Sequence, residues 1–151
     1  IQGPWNWRHA EHVGRNMQPN IAEVDWKSVM DATGPYPPDA YHFVREGLNW
    51  TSKQVYSDPE GLPEVDRHLS GQQLCMGLRD FAIDRFGYLA PTVLESWSIG
   101  RTDDFGRIVY ALIDLGVMSR TPDDSVEDFR AVYDFSDAFH AQTLIERIGP
   151  A

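Results

Sequence analysis

Residues 69–87, LSGQQLCMGLRDFAIDRFG, constrain the fold more than any other stretch. Ser70 followed by Gln73 is the capping-box pattern, in which each side chain satisfies the other residue's backbone N–H. Leu74, Leu78, Phe81, Ala82 and Phe86 recur at helical spacing and make one apolar face. Gly87 supplies the C-terminal stop. A helix with that face needs partners. The pattern offers a first helix from about Ile21 to Met30, a second from about Asp39 to Tyr56 after Pro37 and Pro38, and a short one opened by Pro91 and running to about Ser98. Thr102 reads as the cap of a further helix, with Asp103 and Asp104 in its first turn and Phe105, Ile108, Val109, Leu112 and Ile113 as its stripe. Ser136 reads as the cap of a last helix over about 137–148.

Between those last two helices, VMSRT and FRAVYDF flank PDDSVED. The β-branched and aromatic residues of 129–135 predict strands and a hairpin, although SVEDFRAVYDF also admits a helical reading. Helix, short helix, tight turn, helix and hairpin form the order of a winged helix. The expected fold is therefore mainly α: a small helical domain with a C-terminal winged-helix-like helix–turn–helix plus a β-hairpin. Residues 1–19 hold Trp5, Trp7, His9 and His12 with no sustained period, and predict an extended N-terminal arm. Residues 20–151 predict a single mostly helical domain.

Charge decides which surfaces such a domain can engage. The chain of 151 residues has a formal net charge of −10. Within 101–137, nine acids (Asp103, Asp104, Asp114, Asp123, Asp124, Glu127, Asp128, Asp134 and Asp137) face four arginines (Arg101, Arg107, Arg120 and Arg130). A field of that sign repels phosphate backbones and favours basic partners. One cysteine, Cys75, excludes an internal disulfide framework and fits a reducing cytoplasm. No apolar run approaches the length of a membrane span, and no basic region followed by an apolar one opens the chain as a signal peptide does.

Several groups suggest chemistry, and each has a plainer explanation. His9 and His12 are spaced for one helix face, yet H-A-E-H is not H-E-x-x-H and no third ligand follows. Cys75 lies early in its helix, not far in sequence from Arg67 and His68, but a buried cysteine commonly packs as a small hydrophobe. Asp80 and Asp84 suit a solvated face paired with Arg79 and Arg85. PDDSVED lacks the central glycine of a calcium loop. N-W-T at 49–51 matters only in a secretory pathway. There is no P-loop, G-x-G-x-x-G, G-x-S-x-G or C-x-x-C. No catalytic residue, metal or cofactor is assigned on these patterns.

AYHFVREGL, RHLSGQQLCMGLRDFAIDRFG, TVLESW, TDDFGRIVYALIDLGVMSRTPDDSVEDFRAVYDF and the following AF, in that order, resemble an uncharacterised conserved hypothetical family found mainly in planctomycete and verrucomicrobial bacteria. The resemblance covers about residues 38–139. It implies a bacterial cytoplasmic protein and no particular activity.

The expected function is a non-enzymatic protein-interaction module, an accessory subunit docking on a basic partner. Its contacts would come from the arm (Trp5, Trp7) and from the acidic face (Asp103, Asp104, Asp123, Asp124, Glu127, Asp128). The competing expectations are a winged-helix DNA-binding regulator, which needs a basic stripe from Arg101, Arg107, Arg120 and Arg130, and an enzyme, which needs a pocket around His42, His68, Cys75 or His140.

Overall fold

The structure, a computed structural model, describes residues 25–56, 69–118 and 124–150. Seven α-helices are described: α1 (Trp26–Thr33), α2 (Pro38–Val55), α3 (Gly71–Phe86), α4 (Ala90–Ser96), α5 (Thr102–Asp114), α6 (Phe135–Ala138) and α7 (Ala141–Ile148). Short 3-10 turns cover Gly87–Leu89 and Val126–Phe129.

The capped helix forms as its sequence requires. Ser70 Oγ accepts from Gln73 N at 3.0 Å, and Ser70 N donates to Gln73 Oε1 at 2.9 Å. Gly87 closes α3 at φ 56°, a left-handed backbone that costs glycine little. The apolar face of α3 packs on α2, where Phe43 stacks on Phe81 with ring centroids 5.2 Å apart and meets Trp97 at 5.4 Å. The two helix backbones approach closely at Gly77. A Cβ there would lie 2.0 Å from Thr51 Oγ1. Helix α5 packs across this pair, with Phe105, Ile108, Val109 and Leu112 fully buried. A single cluster of buried apolar residues runs through the described helices.

The expected hairpin does not form. Among the described residues there is no strand or sheet, and 74% of them are helical. The winged-helix-like assignment is therefore wrong, although the mainly α class stands. The physical reason lies in where 125–133 satisfies its backbone. Ser125 and Asp128 form a second capping box: Ser125 N donates to Asp128 Oδ2 at 3.2 Å and Ser125 Oγ accepts from Glu127 N at 3.2 Å. That box winds Val126–Phe129 into a turn. Phe129 is then buried beside Gly106, where a Cβ would come within 2.8 Å of it. The next groups bond to the start of α5 instead of to a second strand. Thr102 Oγ1 donates to Phe129 O at 2.7 Å and accepts from Val132 N at 3.0 Å, while Ala131 N donates to Asp103 Oδ1 at 3.2 Å. Ala131 takes φ 46°, which no extended strand accommodates.

Boundaries elsewhere moved for similar reasons. Thr102 does not cap α5, because its hydroxyl is engaged by 129–132 and the first residue outside the helix is Arg101. The last helix splits in two: Asp134 precedes α6, and His140 caps α7 by accepting from Gln142 N at 3.2 Å. Helix α7 buries only Leu144. It is fastened by Arg147 to Asp80 at 2.7 Å and by the Tyr88 hydroxyl donating to Gly149 O.

Candidate functional site

Concavities lined by described residues open on the surface, two of them between elements already described. The larger, a cleft of about 640 Å³, lies between the end of α1, one face of α5 and the segment 124–126. Arg107, Tyr110 and Asp114 line it at helical spacing, with Ala32, Ala111 and Ile113 as apolar wall and Val126 on the rim. The smaller, a groove of about 380 Å³, runs between the second half of α2 and the first half of α3. Trp50, Val55 and Met76 form its apolar surface, and Gln54, Gln72 and Asp80 its polar edge. Val55 and Met76 stay 45% and 41% exposed, unlike the closed core beneath them.

Beside the larger cleft is a buried polar network that composition did not suggest. Asp104 is 7% exposed, and its two carboxylate oxygens accept four hydrogen bonds. Oδ2 takes Gly100 N at 2.8 Å and Arg101 N at 3.1 Å. Oδ1 takes Arg107 NH1 at 2.9 Å and the buried Tyr36 hydroxyl. Burial, reinforced by this bond to Asp104, pushes the Tyr36 hydroxyl up to about 12. The network ties the α1–α2 linker to the start of α5 and fixes the Arg107 guanidinium at the cleft edge.

The expected acidic docking face is largely absorbed by this architecture. Asp104 is buried, Asp103 accepts from Ala131 N, Asp128 closes the Ser125 box and Asp124 is buried. Glu127 remains exposed but pairs with Arg130 at 3.0 Å. Trp5, Trp7 and Asp123 lie outside the described residues, as do His9, His12, His68 and Arg120. The residues that sequence reasoning did not place in a site are Tyr110, Asp114, Trp50, Val55 and Met76, while Arg107 was expected only in a basic stripe. For Met76 and Val55 the available signal was an apolar residue off the main stripe of its helix.

Of the arginines considered for a basic stripe, Arg107 pairs with Asp104 and Arg130 with Glu127. The groups considered for catalysis are dispersed. Burial pushes the Cys75 thiol far up, aided by Asp103, so the nucleophilic thiolate is disfavoured. His42 lies against Trp26 with ring centroids 5.5 Å apart and planes tilted by 60°, and His140 is a helix cap. Asp80 accepts from Arg79 at 3.0 Å and from Arg147, holding α7 rather than pairing with Asp84. Among the described residues no group of three His, Cys, Asp or Glu side chains is placed to hold a metal ion, and no helix is long and apolar enough to cross a membrane. Comparison of the chain with family models, curated proteins and solved structures finds no match.

Proposed function

We propose that this chain is a non-enzymatic protein-interaction module, an accessory subunit that docks on a basic partner in the bacterial cytoplasm. The observation that carries the reading is the α2–α3 groove, where Trp50, Val55 and Met76 leave apolar surface open to solvent. Aromatic residues and methionine are enriched at interface cores, and a thioether adapts to varied apolar side chains. The partner is a basic segment presenting one aliphatic or aromatic side chain to the groove. Its basic character follows from charge: the chain carries −10, and the connector 57–68 that joins the two groove helices carries Asp58, Glu60, Glu64 and Asp66 against Arg67. The family resemblance over residues 38–139 belongs to the same reading, as does the cytoplasmic setting suggested by a lone cysteine.

The test is affinity purification of tagged wild-type chain and of Met76→Glu from the native cell, at low and at high salt. Met76 is 41% exposed, so the substitution leaves the fold and its melting temperature unchanged. One stoichiometric basic protein captured by the wild type, weakened by salt and lost with Met76→Glu, is the expected result. A partner retained by Met76→Glu refutes the groove, and no stoichiometric partner refutes the module.

A further inference from the structure

The α5 face in the larger cleft carries its own complement. Arg107 and Asp114 are seven residues apart, so they share one helix face and lie about 10 Å apart along the axis. Both are exposed. Arg107 is held in place through NH1 by Asp104 and Tyr36, and makes no other hydrogen bond among the described residues. A two-fold axis running between two copies, perpendicular to α5 and level with Tyr110 and Ala111, lays a second α5 antiparallel to the first. That one operation sets Arg107 of each protomer opposite Asp114 of the other. The rim of the same cleft carries an exposed apolar side chain, Val126 at 45% exposure, beside the apolar lining of Ala32, Ala111 and Ile113.

We infer that this face is a two-fold self-association surface and that its occupant is a second copy of this chain. An isologous interface needs one patch bearing both halves of every contact, and here Arg107 and Asp114 on one helix face meet that requirement. Other occupants fit less well. A basic segment attracted by Asp114 meets Arg107 two turns away, and an anionic one meets the reverse. The overall charge of −10 opposes self-association at long range, but at about 0.15 M salt the screening length of roughly 8 Å removes most of that repulsion while contact pairs survive.

Sedimentation equilibrium on the full chain at about 0.15 M salt tests this. The expected wild-type mass is twice 17.2 kDa. Asp114→Arg opposes cation to cation twice across the axis and weakens association at least about tenfold. Arg107→Asp does the same with acids, and an equimolar mixture of the two variants restores the doubled mass because the cross-pairs are again opposite in sign. Because Arg107 touches Asp104 and Tyr36, Arg107→Asp can fail to fold. Val126→Arg, on an exposed position, is the second disrupting variant. A wild type at 17.2 kDa through the micromolar range overturns the inference. So does a dimer that persists in both Asp114→Arg and Val126→Arg. None of these residues lines the α2–α3 groove, so the outcome does not bear on the partner reading.

Discussion

Asp104→Asn separates a structural acid from a docking acid. The wild-type carboxylate accepts from four donors, two on each oxygen. An amide keeps one accepting oxygen, so two of the four donors face an NH2 group. If that group replaces Oδ2, the amides of Gly100 and Arg101 lose their acceptor at the helix start. If it replaces Oδ1, the Tyr36 hydroxyl turns to accept from the amide and Arg107, half exposed, returns to water. The second arrangement costs less. What it loses is the charge on an acceptor, with bonds to charged groups worth about 1.5–3 kcal/mol each, partly recovered by the relaxed Tyr36. The expected loss of stability is about 2–3 kcal/mol, or a fall in melting temperature of roughly 5–10 °C. Urea and thermal unfolding followed by far-UV circular dichroism at neutral pH measure it. A change under about 0.5 kcal/mol, the usual effect of a surface substitution, refutes the network as described and returns Asp104 to the surface.

Three further outcomes follow from contacts elsewhere in the fold. Tyr36 is raised from 10.0 to about 12 in the folded chain, so its contribution is intact below pH 10 and is lost as pH climbs through 12. About two units at roughly 1.4 kcal/mol each gives about 2–3 kcal/mol. Urea midpoints from pH 8 to 12 should fall less steeply for Tyr36→Phe than for the wild type, and equal slopes contradict the assignment. Ala131→Gly relieves a left-handed alanine at an exposed site and should raise stability by about 0.5–1 kcal/mol in urea unfolding; a loss of that size counts against the φ 46° conformation. Gly77→Ala places a methyl 2.0 Å from Thr51 Oγ1 and should cost about 1–3 kcal/mol even after its gain in helix propensity. Thr51→Ala in that background removes the contacts with Oγ1 and Cγ2 but leaves the Cβ 2.7 Å away, so it should recover part of the cost, and no recovery at all locates the strain elsewhere.

The elements legible in the sequence were those whose stabilising groups are local. The Ser70–Gln73 box, the Gly87 stop and the α5 stripe lie within one helix each, and the helices at 38–55 and 71–86 fall within a residue or two of expectation. The segment 125–133 was misread because its decisive partners are far away in sequence. Val132 bonds to Thr102, and Phe129 needs the space that Gly106 leaves beside it. Ser125 with Asp128 is a capping box as plain as that of Ser70, but the β-branched and aromatic content after it was given more weight. The local roles of the acids were illegible for a related reason. Composition counts carboxylates without regard to what they accept, and Asp103, Asp104 and Asp128 accept backbone N–H groups from within the fold. The groove was illegible because it depends on how α2 lies against α3, set by the Gly77–Thr51 approach.

The fastening of α7 sets the order in which this molecule comes apart. One buried leucine, one ion pair between groups about one-third exposed, the Thr143 hydroxyl donating to Asp137 O and the Tyr88 hydroxyl donating to Gly149 O hold this helix to the body. The helix should therefore open many times for each global unfolding event, as a separate cooperative unit. In native-state hydrogen exchange its amides should exchange faster than those of α3 and α5, whose apolar faces are buried.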